Sequence, residues 1–171
     1  MFKNEEIPLS SLPGIAALNF KPIHPRYLTV LILQHMLQYS VIACLLIVAK
    51  MYLDIEPLEQ HFVFICILLV GSIALHFTSS VLGFWKRKYS LRNHDISFKK
   101  GLLRSSLATV PLSRIQHLDI SQGLLSQKFG LANLKLYTAG DSGSDMVIKG
   151  LLLEEAEKIR GYITAQINER V

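Results

Sequence analysis

The sequence predicts a two-helix transmembrane hairpin followed by an α+β domain, and three observations predict it. Two apolar runs in the first half of the chain are each long enough to cross a bilayer. Beyond Trp85 the pattern changes from continuous apolar to alternating, the mark of half-buried strands. From Leu152 it changes again, to a helical period that runs to Val171.

Composition sets the class. Half of the 171 residues are hydrophobic and 18% are charged, with a mean hydropathy of +0.34. That is too oily for an ordinary soluble domain. Charge is also unevenly spread. Residues 86–171 hold 14 Lys or Arg against 8 Asp or Glu, whereas the rest of the chain holds 4 against 5. A basic domain on a short tether to a bilayer is suited to anionic lipid. Nucleic acid is not expected, because no aromatic-basic interleaving accompanies the charge.

The first predicted span is Tyr27 to Leu53 and the second is Phe62 to Trp85, joined by an outer loop over 54–61. Each exceeds the roughly 20 residues needed to cross about 30 Å of hydrocarbon. Asp54-Ile-Glu-Pro-Leu-Glu-Gln60 carries three acids and no Lys or Arg, while Lys21 and Arg26 precede the first span and Lys86-Arg87-Lys88 follow the second. The positive-inside rule then puts both termini in the cytoplasm. Tyr27, Tyr52, Trp85 and Tyr89 stand where interfacial aromatics are expected.

Residues 1–26 form an N-terminal cytoplasmic or interfacial segment. Ile7 to Phe20, broken by Pro8, Pro13 and Gly14, is too interrupted to span and is expected to lie along the inner interface. It lacks the basic start and apolar core of a cleavable signal. Cys44 and Cys66 fall inside the spans, where a thiol acts as a small apolar group. They are given no redox or metal role.

Polar side chains in hydrocarbon are costly and need a packed or hydrated face. Gln34, His35 and Gln38 on the first span and His76, Thr78, Ser79 and Ser80 on the second define such an intramembrane polar face. His35 lies eight residues in from Tyr27 and His76 eight in from Phe84, so both sit about 12 Å from the cytoplasmic boundary. Two readings stay open: a pH-sensitive or ligand-contacting pair, or plain hydrogen bonding to a neighbouring helix.

The domain over 86–171 reads as six or seven short strands. Tyr89 and Leu91 alternate with Ser90 and Arg92, and Ile96 and Phe98 alternate with Ser97 and Lys99. Later runs are Ser106 to Val110, Gln116 to Gln122, Asn133 to Thr138 and Met146 to Ile148. Asn93-His94-Asp95, Gly101, Pro111, Gly123 and Gly140-Asp-Ser-Gly143 supply the turns. Leu124, Leu125 and Phe129, followed by Gly130, predict a short helix closed by a left-handed glycine and packed on the sheet. In the closing helix Leu152, Ala156, Ile159, Ile163 and Ile167 share one face.

A set of blocks in this order carries a resemblance. Tyr89-Ser-Leu-Arg-Asn-His-Asp-Ile-Ser-Phe-Lys-Lys-Gly101, Val110-Pro-Leu-Ser-Arg-Ile115, Gln122-Gly-Leu-Leu-Ser-Gln-Lys-Phe-Gly-Leu131, Thr138-Ala-Gly140 and Gly150-Leu151 resemble the bacterial PH-like domain of YdbS-type membrane-flanked proteins. The resemblance runs from Lys86 to about Ile163, and the two spans match the family layout. It implies two packed antiparallel sheets with a C-terminal helix, on a membrane anchor often encoded beside a larger protein with several such domains. It implies no catalytic residue and no defined ligand.

The chemistry agrees with a chain that is not an enzyme. Gly140-Asp-Ser-Gly143 matches a serine-nucleophile tetrad in letters only, since it falls in a hairpin turn of a domain too short for a protease double barrel. No His-Glu-x-x-His, paired Cys-x-x-Cys or phosphate-cradling glycine loop occurs, and no metal or cofactor is expected. The informative constellation is basic. If strand one leaves the membrane at Lys88 and turns at Asn93-His94, strand two returns with Lys99 and Lys100 beside Lys88 and Arg87. With Lys86, these five cations are the candidate headgroup contacts, and a solvated strand face is the alternative. Asn93-His94 would stand about 17 Å out, too far for a membrane ligand.

The expectation is therefore a multi-pass protein of the bacterial plasma membrane. Its PH-like domain is an interaction or scaffolding module within a larger membrane complex, with a use in envelope protection. The expected partners are membrane lipid and a membrane protein with PH-like domains, or further copies of the chain. The rival expectation is an anionic-lipid sensor at the inner leaflet.

Overall fold

The computed structural model describes residues 19–53, 56–138 and 146–168. Residues 7–18 of the expected interfacial segment, residues 54 and 55 of the expected outer loop and the expected Gly140-Asp-Ser-Gly143 turn lie outside the described residues.

Two long helices come first, α1 over Arg26–Tyr52 and α2 over Glu56–Trp85. Both are long and apolar enough to cross a membrane. A helix meets all its own backbone hydrogen bonds, which is the condition for crossing hydrocarbon. Pro25 precedes the first turn of α1, where a missing N–H costs nothing. Glu56 and Glu59 lie in the first turn of α2, where they complement the positive end of the helix dipole. Helix α2 therefore begins ahead of Phe62, the expected start of the second span. Outward-facing side chains such as Leu75, 75% exposed, leave an apolar surface around the pair. The Lys50 ammonium lies 4.1 Å over the Phe62 ring and joins the two helices near the ends that lie away from the domain.

The domain is two antiparallel sheets and a helix. The first sheet has the order β1-β2-β3-β4, from Lys21–Pro22, Lys88–Leu91, Asp95–Lys100 and Ser106–Pro111. A 3-10 turn over Leu112–Arg114 leads to the second sheet, β5-β6-β7, from Ile115–Ser121, Leu131–Thr138 and Met146–Leu152. Short helix α3, Leu124–Lys128, links β5 to β6, and α4, Leu153–Asn168, closes the domain. Inward residues of both sheets, among them Ile96, Phe98, Leu134 and Ile148, pack with Ala156, Ile159 and Ile163 of α4 in one core.

Edge strand β1 comes from before the first span. Lys21 pairs with Tyr89 and Pro22 with Lys88, so the sheet draws on both sides of the hairpin. A proline fits there because an edge strand has one side free of ladder bonds. The side chains of Lys21 and Tyr89 both donate to Glu155 Oε1 on α4, the tyrosine at 2.5 Å. One carboxylate thus fastens β1 and β2 to the closing helix.

A second, smaller core joins the domain to the hairpin. Ile23, Tyr27, Val30 and Phe84 bury against Leu131, with Leu125 and Phe129 packed alongside. Gly130 takes the predicted left-handed conformation, φ +66°. Leu124 does not join the packed face and is 90% exposed, because α3 directs Leu125 and Phe129 at the hairpin base instead. At Gly150, φ +83°, a Cβ would lie 2.5 Å from Tyr27 Cγ. The Gly150 carbonyl accepts the His24 N–H at 2.9 Å. Only glycine allows strand β7 to lie this close to the first span.

Candidate functional site

Docking through Tyr27 and Gly150 leaves a cavity of about 530 Å³ between the hairpin and the domain. That volume falls within the ~300–1,000 Å³ usual for small-molecule sites. Two kinds of wall line it. The hairpin contributes Gln34, His35, His76 and Ser80, and the domain contributes Arg87, Lys100 and Lys149. Leu31, Phe98 and Val147 supply apolar surface between them. Among the described residues no carboxylate lines the cavity.

Each cation reaches it by a separate local cause. Arg87 follows the end of α2, its N–H donating to the Phe84 carbonyl at 3.0 Å, and its guanidinium lies 5.7 Å from the Tyr27 ring centre. Lys100 ends β3, where alternation along the strand turns it to the face opposite Lys99. Lys149 is carried by β7 beside Gly150, the residue in contact with the first span.

The histidines form the inner end. Their ring centres are 4.3 Å apart, tilted by 54°. His35 Nε2 shares a hydrogen bond with Ser80 Oγ at 2.8 Å, and His76 Nδ1 shares one with the Tyr39 hydroxyl at 3.0 Å. His35 Nδ1 is buried with no hydrogen-bond partner among the described residues. An unmet buried polar atom costs about 1–3 kcal/mol, so packing alone does not explain the pair. His35 lies nine residues into α1, about 14 Å from Arg26, so the cavity runs from the end of the hairpin well into its length.

Of the predicted residues, Arg87, Lys100, Gln34, His35, His76 and Ser80 meet at this cavity, and Lys86, Lys88, Lys99, Gln38, Thr78 and Ser79 stand elsewhere. Lys88 and Lys99 are exposed cross-strand partners in the β2–β3 ladder. Lys86 is exposed between α2 and β2, and Gln38 is exposed one turn further along α1 than Gln34. Sequence reasoning missed Lys149 and Tyr39. A glycine inside an alternating strand marks a close backbone approach, and Gly150 was the signal that could have drawn attention to its neighbour Lys149.

Away from the cavity, the Asn93-His94 turn is closed by a bidentate ion pair in which Arg92 donates to Asp95, its Nε at 2.7 Å from Oδ1. That carboxylate holds the guanidinium above its usual pKa.

Residues 28–167 match the family model described as Bacterial PH domain. The chain is 34% identical over 96 residues to the UPF0699 transmembrane protein YdbS of Bacillus subtilis (strain 168), a match covering 56% of this chain and 58% of YdbS. It is 31% identical over 78 residues to the UPF0699 transmembrane protein YdbT of the same organism, covering 44% of this chain and 16% of YdbT. The chain thus spans less than two thirds of either relative. A crystal structure of a DUF1696 family protein with a pleckstrin-homology domain, from Shewanella loihica PV-4, aligns with a TM-score of 0.37 and 19% identity over 47% of this chain and 70% of that one.

Proposed function

We propose for this chain, which belongs to the bacterial PH domain family, the role of a non-catalytic, membrane-anchored binding module whose domain rests on the anionic inner leaflet of a bacterial plasma membrane. The observation that carries this reading is the β3–β4 turn. Leu103 is 99% exposed there, in a run that includes Lys99, Lys100 and Arg104. Because Lys99 lies opposite Lys88, three residues beyond the end of α2, the turn lies at the hairpin end of the domain. An exposed leucine among cations suits a headgroup boundary, where the charges meet phosphate and the side chain meets acyl chains. Each cation near such a surface contributes about 1 kcal/mol. Lys21, Arg26 and Lys86 at this end and Glu56 and Glu59 at the other support cytoplasmic termini.

The test is hydrogen exchange on the full chain in nanodiscs. In phosphatidylglycerol the amides of residues 99–105 exchange more slowly than in phosphatidylcholine, and high salt reduces the difference. Equal exchange in the two lipids would overturn the reading.

A second reading, an interaction module within a larger membrane complex, is favoured by Gln38. Its amide is exposed on the apolar surface of α1, and a polar group facing hydrocarbon is best met by another helix. A membrane protein that co-purifies with the wild-type chain at low and high salt, and is lost in Gln38→Leu, would support it. Purification of the chain with lipid alone would count against it.

A further inference from the structure

We infer that the cavity between hairpin and domain is a stoichiometric site for one anionic phospholipid, with its phosphate among Arg87, Lys100 and Lys149. This rests on the reading that the domain sits on the leaflet, and adds to it a defined site with its own residues.

Four observations converge. First, the described lining residues include three cations, Arg87, Lys100 and Lys149, and no acid, a balance that favours an anion over a cation. Second, the cations come from the domain and the uncharged polar groups from the hairpin, in the order in which a phospholipid presents phosphate and then glycerol esters. Gln34 and Ser80 can hydrogen-bond the ester region, while Leu31 meets the start of a chain. Third, about 530 Å³ suits a headgroup and the first carbons of its chains, and is too small for a helix or strand of a partner protein. Fourth, the site is set by packing. Tyr27 is 7% exposed and held against Gly150, and it carries the Arg87 guanidinium over its ring.

The site is separable from general attraction to the leaflet. Lys88 and Lys99 belong to the exposed ladder and do not line the cavity, whereas Lys149 does.

The experiment is native mass spectrometry of the full chain released from phosphatidylglycerol and from phosphatidylcholine nanodiscs, counting retained lipid. The wild-type chain is expected to keep one phosphatidylglycerol and no phosphatidylcholine. Lys149→Gln and Lys100→Gln each weaken retention about fivefold, as losing about 1 kcal/mol of attraction implies. Val147→Phe, which keeps every charge and fills the space, also expels the lipid, so a fold defect in one lysine variant does not decide the matter. Lys88→Gln with Lys99→Gln retains it.

Retention unchanged in Lys149→Gln and Val147→Phe, or equal retention of both lipids, would overturn the proposal. So would retention of inorganic phosphate with no lipid, which would identify the occupant as a free anion. Salt-sensitive protection of residues 99–105 in a chain that retains no lipid would leave the leaflet reading standing and remove this one.

Discussion

Lys88 stands directly opposite Lys99 in the antiparallel ladder of β2 and β3, and both are exposed. Like charges in this relationship destabilise a sheet by a few tenths to about 1 kcal/mol. Beside an anionic surface the same pair shares counter-charges. Lys99→Thr is expected to stabilise the domain by roughly 0.2–1 kcal/mol in neutral detergent. The gain shrinks or reverses in phosphatidylglycerol, which thermal unfolding in the two environments would read.

Gly150 and Tyr27 predict how firmly the domain is held. Gly150→Ala adds a methyl 2.5 Å from Tyr27 Cγ in a backbone with φ +83°. The expected loss is about 2–4 kcal/mol, from left-handed strain plus overpacking. Tyr27→Ala should cost less in the Gly150→Ala background than alone, because the clash is then absent. Unfolding of the four proteins in one detergent gives this cycle.

The buried Tyr89 hydroxyl, donating to Glu155, predicts an alkaline limit. Burial, and then the hydrogen bond and negative charge of Glu155, push its pKa far above the ordinary value. A tyrosine whose folded pKa lies above its unfolded one, about 10, gives stability that is complete below pH ~10 and lost as pH rises beyond it. Tyr89→Phe should cost about 1–2 kcal/mol at neutral pH. The gap between wild type and variant should close above pH ~10. A gap that stays constant to pH 11 would contradict the assignment.

The weak ion pairs predict almost nothing. Lys158 donates to Glu154 at 2.6 Å on the outer face of α4, an exposed contact that lowers the carboxyl pKa and raises that of the amine. Lys158→Ala is expected to leave the unfolding midpoint nearly unchanged, as exposed pairs one turn apart generally do.

The parts of the fold legible in the sequence are those fixed by local period. Unbroken apolar runs gave the two spans, alternation gave β2 to β7, and Ala156, Ile159 and Ile163 gave α4. Strand β1 was not legible. Lys21–Pro22 is two residues long, contains a proline and pairs with residues more than sixty positions away. The depth match of His35 with His76 follows from counting residues in a hairpin, whereas their hydrogen bonds to Ser80 and Tyr39 depend on helix rotation. Lys149 was hidden for a similar reason. Its place at the cavity follows from how β7 docks on Tyr27, a contact between sequence-distant residues that no local pattern reveals.

The most direct test of the central claim is the depth of the β3–β4 turn. Trp85 is the single tryptophan of the chain, so Trp85→Phe with Leu103→Trp places one fluorophore at the tip. In phosphatidylglycerol nanodiscs its emission is expected to be blue-shifted and quenched by lipids brominated near the headgroup end of the chains. Emission typical of water, unquenched by any brominated lipid, would mean that the turn stands clear of the membrane and that the domain does not rest on the leaflet.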